Sequence, residues 1–247
     1  DQYADCRRLV DTNEDGVVDE YDTCIPTGGF INALRPIKLA IPFIEAARNG
    51  EENIMVSVDS TEHYNPEGEI YYQEDFSDPS NGWYTGTDEM SSYSYANGEY
   101  LIQVNNENRI NWVTIGEELE NSSITVEAGP QQSTGDGGFG LICRYIDSDN
   151  FYGLEVSEDG YYSIWRRDKG EYVFLSYWQY SDLIPQFQKM KITASCIDDR
   201  LSLAVNDTLL VEVTDGTFQN GDTGVFVETY EFGDLIIAFD NFMIKLP

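Results

Sequence analysis

Histidine is nearly absent: His63 is the only one in 247 residues. One histidine in the polar stretch 61–68 rules out a His-rich zinc centre and leaves little from which to build a Ser-His-Asp arrangement. The Gly-x-Ser-x-Gly elbow is missing, and so is a Glu-x-Asp-x-x-Glu run. Basic side chains are scarce as well, 14 against 45 acidic ones, for a net charge of −31. Such a field repels nucleic acid and anionic membrane and suits divalent cations. Long apolar runs are lacking too. The stretch 39–44 falls far short of the roughly 18 residues of a membrane-spanning helix. Two carboxylates meeting across a sheet could still cleave a glycoside, but with 45 acids that possibility discriminates nothing. The expectation is a protein that is not an enzyme, binds no nucleic acid and has no transmembrane segment.

Cysteine is sparse but even in number, at positions 6, 24, 143 and 196. An even count fits two disulfides in an oxidising compartment, against the alternative of free buried thiols. Of three possible pairings, sequence position suggests Cys6–Cys24 and Cys143–Cys196. A first residue of Asp1 rather than methionine reads as a mature chain with its leader removed. Together these lead to the expectation of a secreted, extracellular or cell-surface protein.

The residues that are present fall into two regions, 1–66 and 67–247. The sharpest motif lies in the first. Calcium takes six to eight hard oxygen ligands, and a twelve-residue loop supplies them at positions 1, 3, 5, 7, 9 and 12. Here those are Asp11, Asn13, Asp15, the carbonyl of Val17, Asp19 and Asp22, with Gly16 at the sharp turn. Asp22 stands where a bidentate Glu is common. The loop, with Cys24 after it, resembles dockerin loops and thrombospondin type 3 repeats, which implies a structural Ca2+ clamp. The other reading is an acidic turn without metal.

After the break at Gly28-Gly29, residues 30–49 are apolar but carry Pro36 and Pro42, so one continuous helix is unfavourable. Ile37, Leu39, Ile41 and Phe43 alternate with other residues at the strand period. A short helix over 43–49 and a strand over 53–60 complete either a strand–helix–strand unit or an arm that adds to a neighbour's sheet.

The second region reads as strands. Residues 138–167 form three of them, broken by the polar turn 147–150 and by Asp159-Gly160. Turn signals recur at Asn97-Gly98, Lys169-Gly170, Asp198-Asp199, Asn206-Asp207 and Asp215-Gly216. Few helices fit. This spacing predicts a mostly β chain, a two-sheet antiparallel jelly-roll sandwich with a small N-terminal calcium-binding and strand/helix extension.

Residues 74–83 (Glu74, Asp75, Phe76 through Gly82, Trp83), then Phe139 to Tyr145, Asp149-Asn150-Phe151-Tyr152, Leu201 to Asn206 and Phe239-Asp240-Asn241-Phe242 resemble the concanavalin A-like, laminin-G-like jelly rolls of exported bacterial lipoproteins. That group is related to the 3-keto-disaccharide hydrolase-like domains. The resemblance implies the Cys143–Cys196 bond and a second Ca2+ where first and last strands meet, at Asp75 and Asp240. Capping and turn roles for those two residues are the alternative. Asn206-Asp207 stands where Asn-Gly is common, which implies only a changed hairpin turn. Asn121 and Asn206 head N-glycosylation patterns that read as chance matches.

Two functions from different classes follow. One is a calcium-stabilised structural subunit of a surface filament or lattice, a homo-oligomer assembled through residues 30–60. The other is a carbohydrate-binding, lectin-like module with polysaccharide as partner. Trp83, Trp112, Trp165 and Trp178 are candidates to stack on sugar rings, although aromatics in a sandwich more often sit in the core. Tyr177, Trp178 and Tyr180 stand out because both alternating faces are aromatic there. Chelation of Ca2+ with EGTA is expected to lower the melting temperature, since metal held only by the folded state adds about 2.7 kcal/mol at a hundredfold excess over Kd. An unchanged melting temperature overturns the calcium reading.

Overall fold

The structure, a computed structural model, describes residues 6–7, 25–26 and 64–247. The short strands β1 (Cys6–Arg7) and β2 (Ile25–Pro26) pair antiparallel. The remaining strands are β3 (Glu69–Glu74), β4 (Gly86–Thr87), β5 (Ser91–Ala96), β6 (Glu99–Val104), β7 (Arg109–Thr114), β8 (Ser122–Gln132), β9 (Gly138–Asp147), β10 (Asn150–Ser157), β11 (Tyr161–Asp168), β12 (Glu171–Tyr180), β13 (Met190–Ile197), β14 (Arg200–Val205), β15 (Thr208–Thr214), β16 (Asp222–Thr229) and β17 (Leu235–Leu246). One 3-10 turn spans Pro79–Asn81, and no α-helix occurs among the described residues. No helix there is long and apolar enough to cross a membrane.

Two antiparallel sheets make a sandwich. One is six-stranded, in the order β12-β11-β10-β9-β16-β7. The other runs β15-β14-β13-β8-β17-β6-β5-β4, with β3 also on β17. The first half of β17 pairs with β6 and its second half with β3. Between the halves lies a bulge at Asp240-Asn241, where Asn241 has φ 51°. The extra residue resets the two-residue alternation, so Phe239 and Phe242, three apart, are both fully buried.

Alternation fills the space between the sheets. Tyr100, Ile102 and Val104 of β6, Leu201, Leu203 and Val205 of β14, and Tyr152, Leu154 and Val156 of β10 all point into one core. Each large side chain buried in this way contributes about 1.5–3 kcal/mol. The Cys143–Cys196 disulfide ties β9 to β13 across that core, as sequence position suggested. The hairpin signals also hold. Asn97-Gly98 and Lys169-Gly170 both have positive φ at their two central residues, the twist-matched two-residue turn. Asn206-Asp207 forms the same turn without glycine, and Asp207 pairs with Lys191.

The outer faces of the two sheets differ in chemistry. On the nine-stranded side they carry hydroxyls and charges: Ser123 meets Ser195, Thr125 meets Thr193, and Tyr64 donates to Ser195. On the six-stranded side they are aromatic. Ile142, Phe151, Trp165 and Phe226 form a second apolar cluster, with Ile110, Trp112, Tyr145 and Phe174 packed against it.

Polar anchors hold the loops. Arg144, 2% exposed, donates to the carbonyls of Glu120 and Phe218 and to Asn121 Oδ1. Asn121 Oδ1 also accepts from the Asp198 N–H. Asp215 is ion-paired with Arg166 and accepts from the Tyr152 hydroxyl at 2.6 Å. Burial opposes the charged form of Asp215, but the bonds from Tyr152 and Thr217 and the Arg166 charge outweigh it and lower its pKa.

Replacing both Cys143 and Cys196 by alanine is expected to cost about 4 kcal/mol from loop closure over the 53-residue separation, read as a lower urea midpoint. No change in midpoint would show that the bond adds nothing. A lowered pKa means that Asp215 contributes stability above the ordinary carboxylate value of about 4, lost as pH falls through its lower folded value. Asp215→Asn should therefore flatten the urea midpoint against pH below about pH 4. A wild-type profile in the variant would remove Asp215 from acid stability.

Candidate functional site

The aromatic outer face of the six-stranded sheet is built by alternation. In β10, Tyr152, Leu154 and Val156 face the core, which turns Phe151, Gly153 and Glu155 outward. Rings from four strands then converge. The Phe151 centroid lies 5.5 Å from Trp112, 5.5 Å from Tyr145 and 5.6 Å from Trp165. Trp165 in turn lies 5.5 Å from Phe226 and 5.0 Å from Tyr172. Glycine makes room for this layer: a Cβ on Gly153 would fall 2.2 Å from the Trp165 ring.

The face is concave, and one contact measures how deeply. The hydroxyl of Tyr172 on β12 donates to Glu228 on β16 at 3.2 Å. Four strand spacings separate those strands, about 19 Å in a flat sheet. The sheet curls until side chains from both sides meet over its middle. Below them Phe151 and Trp165 are 0% and 1% exposed. Glu155, 1% exposed, accepts from Trp165 Nε1 at 2.7 Å and from the Tyr230 hydroxyl. Burial, then the Glu228 and Glu155 charges, push the Tyr172 phenol far above its ordinary pKa. The centre of the concavity is packed.

Aromatic surface reappears along β12. Tyr177 and Tyr180 are 44% and 49% exposed, as sequence reasoning anticipated. Trp178 departs from that expectation: it is 4% exposed and packs edge-on to Tyr230 at 6.1 Å. The reason is a bulge, in which Tyr162 pairs with Gln179 and Ile164 with Ser176, so that Tyr177 and Trp178 together oppose Ser163. Both then lie on the outer side, and the indole packs into the hollow against Tyr230, whose hydroxyl bonds Glu155. Trp83 and Trp165 are likewise interior, Trp83 within the cluster of Phe76, Tyr100 and Phe242. Trp112 is half-buried.

The exposed rings are held in place. Tyr180 lies edge-on to Tyr161 at 5.5 Å, and Gln186 Nε2 donates to its hydroxyl at 3.2 Å. Hydrogen bonding to Asp182 raises the Tyr180 pKa, so the phenol stays neutral and able to donate. Tyr177 stacks on Phe174 at 5.8 Å. Beside them Phe187, 49% exposed, sits at φ 56° with its N–H bonded to the Glu158 carbonyl. Gln186 and Phe187 were not singled out from the sequence. An exposed phenylalanine in a polar connection was the available signal.

Asp75 and Asp240, expected at a second calcium site, each have partners within the chain. Asp240 faces Lys189 and accepts from the Asn241 N–H, while Asp75 accepts from the Ser77 N–H. Among the described residues, no three His, Cys, Asp or Glu side chains converge as a metal group. A pocket of about 420 Å³ does open nearby, lined by Glu74, Asp75, Asn81 and Asn241 among others. Glu74, 5% exposed, accepts through Oε1 from the Phe76 N–H and Asn81 Nδ2. A nearly buried carboxylate beside hard amide oxygens fits a cation. The loop ligands Asp11, Asn13, Asp15, Val17, Asp19 and Asp22, together with Cys24, His63 and residues 30–60, lie outside the described residues, and of Cys6 only the backbone pairing is described.

Buried acids elsewhere brace the fold. Glu158, fully buried, takes the N–H groups of Thr134, Gly135 and Gly137 on one oxygen.

No protein-family model matches the chain, and no curated protein does. Solved structures do. A carbohydrate-binding module, CBM66 from Bacillus subtilis, is similar at 15% identity with TM-score 0.56, over 67% of this chain and 96% of that one. A Bacillus subtilis protein of unknown function with a galectin-like fold has 11% identity and TM-score 0.54, over 73% and 97%. The catalytic domain of an endo-1,3-beta-glucanase (laminarinase) from Thermotoga petrophila has 11% identity and TM-score 0.52, over 74% and 99%. At such identities the likeness is one of fold, a sandwich of two antiparallel sheets.

Proposed function

We propose that the protein is a non-catalytic, exported carbohydrate-binding module. The observation that carries this is the pair of exposed, pre-positioned rings on β12, Tyr177 and Tyr180, with Gln186 and Asp182 beside them. An aromatic face covers the apolar C–H face of a sugar, and amide and carboxylate groups take its hydroxyls. Similarity in fold to a carbohydrate-binding module and to a galectin-like protein supports the same reading. So does the packed concavity, whose most buried glutamate is engaged by Trp165 and Tyr230 rather than poised as an acid or nucleophile. The disulfide suits an oxidising compartment.

Calcium has a bracing role in this reading. The loop 11–22 would hold one ion, and Glu74, Asp75, Asn81 and Asn241 would hold a second at the junction of β3 and β17. The assembly reading, through residues 30–60, rests on residues that the structure does not describe.

Affinity electrophoresis through gels containing neutral polysaccharides tests the proposal. Retardation of the wild type is expected, and Tyr177→Ala and Tyr180→Ala should each weaken it roughly tenfold or more, about 1.4 kcal/mol per tenfold. Retardation that neither substitution alters would place the site elsewhere, and no retardation in any gel would sink the carbohydrate reading.

A further inference from the structure

A sugar-binding sandwich can hold a chain end in a central depression or let an extended chain pass across its surface. The distribution of exposed rings separates the two. In this protein the depression is filled: Phe151, Trp165 and Phe226 occupy it at 0–1% exposure, and the Tyr172–Glu228 bond crosses above. No room is left there for a terminal residue. Exposed rings stand at Tyr71, Tyr84, Phe187 and Phe232, but among the described strands β12 alone carries more than one. Tyr172 is 39%, Tyr177 44% and Tyr180 49% exposed, and all three belong to β12, the edge of the sheet as described. All lie on the outer side: Tyr172 contacts Trp165, Tyr177 stacks on Phe174, and Tyr180 pairs with the outward Tyr161. Tyr172 pairs with Arg167 and Tyr180 with Tyr161, so the track spans six residue steps of β11, about 20 Å at the ordinary strand rise.

The charge along this line is one-sided. Between positions 170 and 188 there is no lysine or arginine, while Glu171 and Asp182 stand at its two ends. The cations near the track stand at one end, Arg167 over the Tyr172 ring at 5.8 Å and Lys169 in the turn before β12, and the Gln186 amide stands at the other. An anionic chain would meet the −31 field with almost no countercharge. A neutral chain brings hydroxyl donors to the acceptors and C–H faces to the rings.

We infer that the ligand is a neutral, extended polysaccharide bound by its interior along β12, with Tyr172, Tyr177 and Tyr180 as successive stacking positions. The inference rests on the carbohydrate-binding reading and specifies its substrate class and mode. Each ring engages a different part of the chain, so affinity rises with chain length until the track is filled, and a chain end is not required.

The test is calorimetric titration of the full chain with neutral cello-, laminari-, xylo- and manno-oligosaccharides of two to eight units, with polygalacturonate as the anionic probe. The expected result is an association constant that grows at least tenfold between two and six units in one series, and negligible binding of polygalacturonate. Tyr172→Ala should remove most of that gain. Circular dichroism checks that the variant is folded, and Tyr172→Phe, which keeps the ring, should restore the gain. Affinity that is flat beyond the disaccharide, or lost when the chain end is capped, overturns the interior mode while carbohydrate binding stands. Tighter binding of polygalacturonate overturns the neutral class. Absence of binding in every series defeats the carbohydrate reading and this inference with it.

Discussion

A sheet that is apolar on both faces has to bury both, and the six-stranded sheet meets that constraint in two ways. Its inner face packs on the nine-stranded sheet in the ordinary manner of a sandwich. Its outer face has no second sheet, so it closes on itself. Curling brings Tyr172 on β12 within hydrogen-bond reach of Glu228 on β16, and the rings between them fill the hollow. Small residues at Gly138 and Gly153 are part of the same solution, because side chains there would collide with Glu155 and Trp165. The outer face of the nine-stranded sheet faces no such demand and carries serine, threonine and charged pairs.

Function follows from what the curl leaves over. Aromatic residues in the hollow spend their surface on one another, and Glu155 spends its charge on Trp165 and Tyr230. The rings this face leaves most exposed are those on β12, where Phe174 stacks on Tyr177, Tyr161 meets Tyr180 edge-on and Gln186 bonds the Tyr180 hydroxyl. A rigid aromatic ring has little entropy to lose on binding, so bracing turns exposed surface into affinity rather than a liability. The same strand would otherwise be an unprotected edge, since Glu171 is its single charged residue.

The strands were legible in the chain because their signals are local. Residues 138–167 hold β9, β10 and β11, and the positive-φ pairs at Asn97-Gly98 and Lys169-Gly170 fall where turn chemistry put them. Cys143–Cys196 was legible from its place in the region. Bulges were not. At Asp240-Asn241 and opposite Ser163 an extra residue resets which side chains face out, and no local pattern announces this. Of the three candidates Tyr177, Trp178 and Tyr180, the indole is buried against Tyr230 and the two tyrosines are exposed. Asp240, expected with Asp75 at a Ca2+, is ion-paired with Lys189.

By itself the sequence determined the class of the fold, the hairpin turns, the acidity of the chain and the presence of surplus aromatic residues. Those are properties of composition and of neighbours within a few positions. Only the tertiary structure decided which aromatics are consumed by the hollow and which remain exposed on β12. That division depends on the curvature of six paired strands and on two register shifts, quantities that exist only once residues as distant as Tyr172 and Glu228 have met.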